Sequence, residues 1–361
     1  MFERWWKAYL RRPDLSGWSL LVPLFWLASA IYRVASRLHR VWPRTVMRVS
    51  IPIISVGNIT VGGTGKTPVV AMLARSFIEE GFQVGIISSG WGRHSDDAVL
   101  EPGYKMSKLS VELTGDEVKL LAMLLPEAIF SVDSSKTIAA ERLAEHGGID
   151  LMIVDDGFQH FGLARDVDIV TYDAAVESRR LKTFPIGVLR EPLTGLKRAD
   201  IILITRANFA EDITQLRQKL TRINPGADMY HAQFFAPELV GSERRYPIKY
   251  LDDKSVFLFA GIGNFIPLRR QLDALAGDLD EAMELSDHQV YTPELLSEIK
   301  RRADSCGSDV IVTTGKDWVK LGSFDFGREI YYLGQSIDLD PGEEKLTTLL
   351  RDKLNLQKRG R

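Results

Sequence analysis

From Pro52 onward, short β-branched, apolar runs alternate with longer stretches in which apolar positions recur every three to four residues. Ile53–Val56, Val84–Ser88, Ile129–Val132, Leu151–Val154, Val167–Thr171 and Ile201–Thr205 read as strands. Thr67–Glu80, Glu117–Leu125, Thr137–His146 and Asp212–Ile223 keep the spacing of helices that pack on a sheet by one face. The alternation predicts an α/β fold, a parallel sheet with helices on both faces and ligands at the carboxyl ends of its strands.

The turn cluster NPGAD, Asn224–Asp228, reads as the exit from this first series. A second βα series follows, with strands at Val256–Ala260, Val310–Thr313 and Ile330–Leu333 and helices at Pro267–Leu275, Pro293–Arg302 and Glu343–Leu354. The expected organisation is a leader over residues 1–48, a main α/β domain over 49–226 and a smaller α/β domain over 227–361, with the closing QKRGR as a frayed tail.

The leader has a different pattern. Gly17–Tyr32 carries no charge over sixteen residues, which as helix would cover about 24 Å, short of a hydrocarbon core of roughly 30 Å. Pro23 lies within it and disfavours a continuous helix, so the segment is expected to enter one leaflet only. Arg4, Lys7, Arg11 and Arg12 precede it, Arg33, Arg37, Arg40 and Arg44 follow, and Trp5, Trp6, Trp18, Trp26 and Trp42 concentrate there, a combination that favours an anionic membrane surface over nucleic acid. Two other readings remain: a secretory signal ending at Leu27–Ala30, and a pair of helices packed on the body.

Composition sharpens this. The 361 residues are 45% hydrophobic and 26% charged, as in a globular protein, and they suffice for two cores. The net charge of −2 conceals a balance of +7 over the first 48 residues and −9 over the rest. One cysteine, Cys306, excludes an intramolecular disulfide framework and fits a reducing compartment.

The strongest chemical signal is GNITVGGTGKTP at 57–68, between a strand and a helix. Glycines let backbone N–H groups converge on phosphate, Lys66 supplies a charge to the outer phosphates, and the Thr67 hydroxyl suits Mg2+. The candidate nucleotide-binding set is Thr60, Gly62, Gly63, Thr64, Gly65, Lys66 and Thr67, with Thr60 standing where the general motif has its first glycine. Asp155 and Asp156 end an apolar strand, where two adjacent carboxylates call for a cation. The segment Thr205–Asn208 lacks the Lys and Asp that would read guanine, so ATP is the expected nucleotide. The six histidines show no metal-ligand spacing.

Taken in order, SVGNITVGGTGKTP at Ser55–Pro68, GDE at Gly115–Glu117, IVDDGFQH at Ile153–His160, LREPL at Leu189–Leu193, FAGIGN at Phe259–Asn264, SDH at Ser286–His288 and TTGKD at Thr313–Asp317 resemble the motifs of the tetraacyldisaccharide 4'-kinases, which phosphorylate the lipid A precursor of Gram-negative bacteria. That family also carries Thr at the place of Thr60. The residues alone make TGDEV a helix start with Thr114 and Glu117 as a capping box. The resemblance instead makes Asp116 the acceptor of the sugar hydroxyl proton, Glu117 a neighbour of Mg2+ with Asp155 and Asp156, His288 the partner of Asp116 reaching in from the second domain, and Arg190 the cation on the transferring phosphoryl group. On the residues alone Arg190 is equally a solvated cation beside Glu191. Ser89, Ser135-Lys136 and Gln289 depart from the family pattern, which bears on lipid contacts.

The resemblance therefore implies a kinase with a P-loop NTPase-type sheet that transfers the γ-phosphate of ATP to the 4'-hydroxyl of a tetraacyldisaccharide 1-phosphate. It would work as a peripheral or monotopic protein at the cytoplasmic face of the bacterial inner membrane, with no nucleic acid and no obligate protein partner. Other membrane-associated P-loop ATPases or GTPases, and a nucleotide-gated adaptor, are the alternatives.

Overall fold

The computed structural model describes residues 22–210, 212–263 and 265–357. In chain order the elements are α1 (Val22–Val41), β1 (Ile53–Asn58), α2 (Lys66–Glu79), β2 (Val84–Ser88), β3 (Val99–Pro102), α3 (Asp116–Leu124), β4 (Ile129–Val132), α4 (Lys136–His146), β5 (Leu151–Asp155), β6 (Val167–Asp173), β7 (Ile201–Thr205), α5 (Ile213–Ile223) and β8 (Asp228–Val240). They continue with β9 (Arg245–Pro247), β10 (Ser255–Ala260), α6 (Phe265–Asp273), β11 (Asp278–Glu284), α7 (Pro293–Cys306), β12 (Val310–Thr314), β13 (Glu329–Asp340) and α8 (Glu343–Leu354). Single helical turns lie at Gly103–Met106, Val111–Thr114 and Gly315–Trp318. The expected α/β fold is present, though its sheet is mixed rather than parallel throughout as expected, with β3–β4 and β8–β9 antiparallel. The expected strands fall within one or two residues of their places, except that β13 runs on to Asp340.

Two compact units divide the chain, neither continuous in sequence. The first comprises the described residues up to Lys66, Asp150–Gln233 and the residues from Leu339 on; the second comprises Thr67–Ile149 and Phe234–Asp338.

In the first unit β1 pairs in parallel with both β5 and β6, β6 with β7, and β7 with the start of β8. β1, β5 and β7 are buried at every position, which is why they read as unbroken apolar runs rather than alternating ones. Ile59, Phe158, Val170, Tyr172, Leu196, Ile202 and Leu220 form a core beside this sheet. The turn after α5 leads into β8 of the same unit, so NPGAD does not close the series. Gly57 near the end of β1 is a packing requirement: a Cβ there would stand 2.5 Å from Phe158 Cβ and 2.8 Å from its backbone nitrogen.

In the second unit β2 pairs in parallel with β4, and β3 joins β4 antiparallel. A parallel set β11, β10, β12, β13 forms its other part, with Leu251, Val256, Leu258, Val312 and Leu333 on one side and Phe257, Phe259, Ile299, Ile311 and Phe326 on the other.

In the leader, the described helix α1 runs over Val22–Val41 and includes Pro23, while the residues before Val22 lie outside the described part. One face of α1 meets the first unit: the buried Ser29 hydroxyl lies 2.9 Å from Thr183 O and 2.8 Å from its hydroxyl, Tyr32 packs edge-on against Phe184, and Lys182 lies over Trp26. Leu24, Leu27, Ile31, Val34, Leu38 and Val41 are all more than half exposed. Their three-four spacing makes them one stripe along the helix. Among the described residues no helix is long and apolar enough to cross a membrane. Arg4, Lys7, Arg11, Arg12, Trp5, Trp6, Trp18 and most of the QKRGR tail lie outside the described residues.

Gly57→Ala is expected to destabilise the protein by about 1–3 kcal/mol, read as a lower denaturation midpoint in urea, because the added methyl overpacks against backbone that cannot yield.

Candidate active site

The phosphate loop of the first unit is shaped by a chain of buried hydrogen bonds. Asn58 Nδ2 donates to Thr64 Oγ1 at 3.0 Å, Thr64 and Thr171 hydroxyls lie 2.7 Å apart, and Thr171 Oγ1 donates to Gly57 O at 3.2 Å. Since Thr171 gives its proton to the carbonyl, Thr64 donates to Thr171, and both hydroxyl protons of the chain are used. Gly62 and Gly65 take φ of 106° and 82°, values open to glycine. Thr60 lies instead in an antiparallel bridge with Leu189, an extended setting that explains why a threonine serves there. A Cβ on Gly62 or Gly63 would meet no heavy atom within 4 Å.

The same bridge brings in Arg190. Val61 N–H donates to Val188 O at 2.7 Å and Arg190 N–H to Ile59 O at 2.8 Å. Its guanidinium then donates to both oxygens of Asp156, at 3.0 and 2.8 Å, and Lys66 Nζ lies 3.4 Å from Asp156 Oδ1. Arg190 is therefore not a solvated partner of Glu191; it joins Lys66 around one carboxylate. Asp156 adopts φ 51°, and the neighbouring Asp155, buried at the end of β5, stands in register with Val56 of β1. Glu191 is buried and takes a bidentate contact from Arg198 at 2.8 and 2.9 Å. Gln159 Nε2 links Glu191 Oε1 at 3.0 Å to Asn58 O at 2.8 Å, tying the Asp155-Asp156 turn, the Arg190 segment and the start of the phosphate loop together.

The second unit holds the other half of the expected set. Thr67 lies in the first turn of α2. Asp116 opens α3 after Gly115, whose φ of 82° sets the turn, and Glu117 N–H donates to Asp116 Oδ1 at 2.9 Å. The expected capping box is not formed: the Thr114 hydroxyl donates to Ser110 O, and no side chain caps α3. Asp116 Oδ2 is 3.1 Å from His288 Nδ1, and the two residues belong to the same unit, so the pair needs no approach of separate bodies. Lys316 bonds Glu117 Oε1, and Lys320 Nζ lies 3.7 Å from Asp116 Oδ2.

Comparison with known proteins decides what these groups belong to. A family model described as Tetraacyldisaccharide-1-P 4'-kinase matches residues 18–355. Tetraacyldisaccharide 4'-kinases of Pelobacter propionicus and Halothermothrix orenii are 35% and 33% identical, over 86% and 89% of this chain and 84% and 88% of theirs. The chain belongs to the tetraacyldisaccharide 4'-kinase family. It is also similar to the crystal structure of LpxK from Aquifex aeolicus in complex with ATP, with a TM-score of 0.73 and 28% identity over 93% of this chain and 99% of that one.

For such a kinase the state of Asp116 matters. Burial pushes its carboxyl up, but the His288 hydrogen bond and charge, with Lys316 and Lys320, outweigh burial and hold it below the usual value of 3.8. His288 is raised above 6.5, first by its hydrogen bond to Asp116, against burial. The pair thus favours carboxylate and imidazolium together. Glu117 is tied to Lys316, whose own pKa is raised by that charge despite burial. Among the described residues no three His, Cys, Asp or Glu side chains could hold a metal by themselves. Within the first unit, the adjacent oxygen donors Asp155 and Asp156 have the chemistry of an Mg2+ site taken up with nucleotide phosphates, since that ion commonly uses one or two carboxylates and completes its shell with phosphate and water.

Gln159, Arg198 and Lys320 are the residues that reading the sequence missed. Gln159 reaches Asn58 and Glu191 across long stretches of chain, and Lys320 reaches Asp116, while Arg198 pairs with Glu191 seven residues before it in a spacing that matches no motif.

The linkage has a definite sign. The raised His288 contributes stability fully present below pH 6.5 and lost as pH rises through its higher folded value; the lowered Asp116 contributes stability present above 3.8 and lost as pH falls through its folded value. An NMR titration is expected to place His288 above 6.5, and Asp116→Asn should bring it down.

Proposed function

We propose that this protein transfers the γ-phosphoryl group of ATP to the 4'-hydroxyl of a tetraacyldisaccharide 1-phosphate in lipid A biosynthesis, with Asp116 accepting the hydroxyl proton. The observation that carries the residue assignment is the buried Asp116 carboxylate at 3.1 Å from His288 in a member of this family. A carboxylate kept ionised by an imidazolium and two lysines is ready to take a proton as the alcohol attacks, and the imidazole orients it.

Lys66 and Arg190 address the charge of the transferring group, Arg190 by its planar fork and Lys66 as a point charge. The backbone of residues 60–65 cradles the phosphates. Thr67, Glu117, Asp155 and Asp156 are the candidate ligands for Mg2+ bound with the nucleotide, which would supply charge neutralisation on the phosphate oxygens.

An acceptor with four acyl chains stays in a bilayer, so the enzyme works at its surface. The exposed stripe of α1, with Arg33, Arg37, Arg40 and Arg44 on the same segment, suits the cytoplasmic face of the inner membrane: apolar side chains enter the acyl boundary while arginines meet anionic headgroups.

Incubation with radiolabelled ATP and the lipid disaccharide is expected to yield labelled lipid. Asp116→Ala and His288→Ala should each lower that turnover by at least about 100-fold while nucleotide binding is retained. Nucleotide hydrolysis independent of the lipid, or undiminished turnover in both variants, would contradict the assignment. Leu27→Glu with Ile31→Glu should reduce co-sedimentation with vesicles containing anionic phospholipid, leaving the denaturation midpoint near that of the parent because both side chains are exposed.

A further inference from the structure

The helical turn Gly315–Trp318 and the residues after it carry two lysines four positions apart, and they address the first two residues of α3. Lys316 bonds Glu117, while Lys320 Nζ stands 3.7 Å from Asp116 Oδ2 and 3.3 Å from Asp317 Oδ1. The Lys320 side chain is only 9% exposed, and a buried ammonium is costly unless its charge is matched. Asp317 is fully buried and is itself held by the Gly261 N–H at 3.0 Å and the Thr314 hydroxyl at 2.7 Å. Gly261 in turn lies against the loop of His288, since a Cβ on it would be 2.7 Å from Ser286 O and 3.0 Å from Gln289 Cβ. The Tyr291 ring lies 5.4 Å from the ammonium.

Every orientation of Asp116 is thereby specified. Its Oδ1 accepts from the Glu117 backbone, and its Oδ2 faces both His288 and Lys320. Without the ammonium, Asp116 and Asp317 would be two buried carboxylates on either side of the vacated position, and their repulsion would turn the mobile one away.

We propose that Lys320, anchored by Asp317, is a positioning residue that holds the Asp116 carboxylate toward His288. The inference rests on the reading of Asp116 as proton acceptor. Lys320 faces Asp116, Asp317 and Tyr291 and is not among the residues assigned to the nucleotide, so its loss should act on kcat and leave the KM for ATP alone.

The test measures kcat, the KM for ATP and the denaturation midpoint for Lys320→Met, Lys320→Gln, Lys320→Arg and Lys320→Met with Asp317→Asn, beside Asp116→Asn. Lys320→Met should lower kcat about 10- to 100-fold, as a misplaced reacting group does. Lys320→Arg should keep most of the activity, and adding Asp317→Asn should restore part of what Lys320→Met loses, because the repelling charge is gone. A merely structural role predicts that kcat and the denaturation midpoint fall and recover together, whereas the positioning role predicts a loss of kcat out of proportion to any change in the midpoint, with the KM for ATP unchanged. If the methionine variant does not fold, Lys320→Gln decides: a lowered kcat with unchanged KM for ATP supports the proposal, and a parental kcat overturns it. A kcat in Lys320→Arg as low as in Lys320→Met also overturns it. Parental turnover in Asp116→Asn would sink the assignment of Asp116 itself, whereas loss there beside parental turnover in Lys320→Gln sinks the positioning role alone.

Discussion

The parallel pairing of β1 with β5 is the constraint on which the nucleotide half of the site depends. Because the strands run the same way, both release their chains at one end of the sheet, and the register that sets Val56 beside Asp155 puts the phosphate loop and the paired carboxylates there together. An antiparallel pairing, or a slip by one residue, would send the Asp155 side chain to the other face. The buried, continuous apolar character of both strands is what holds that register, so the chemistry rests on core packing several residues away.

Upon that frame the loop is fixed by polar bonds, some local and some between distant segments. The Asn58–Thr64–Thr171 chain closes the loop from within, while Gln159 and the Glu191–Arg198 pair brace it from outside. Such buried bonds rigidify the loop, although Asn58 Oδ1 and Thr60 Oγ1 are buried without a hydrogen-bond partner among the described residues. The second unit follows the same logic with charges: two lysines one helical turn apart meet two adjacent carboxylates of α3.

Much of this was legible in the amino-acid order. Ile201–Thr205 and Ile129–Val132 declared themselves as strands by short, mostly apolar and β-branched runs, and Glu343–Leu354 as a helix by its spacing. Lys66, Asp156, Arg190, Asp116 and His288 were visible through motif order. What escaped had no local signature. The seat of α1 against Thr183 and Phe184 joins segments far apart in sequence, and the missing capping box depends on Thr114 turning to Ser110 instead. The interleaved composition of the two units is equally unreadable from periodicity, which marks elements and not their company.

Asp156 has a thermodynamic consequence. It offsets one of the two positive charges of Lys66 and Arg190, so in their proposed role an arriving phosphate displaces a carboxylate rather than meeting bare cations. The affinity gained is then a difference between two attractions, which leaves little reward for a stray singly charged anion. The two side chains are also held by Asp156 beforehand, so part of the entropy of ordering them is settled during folding.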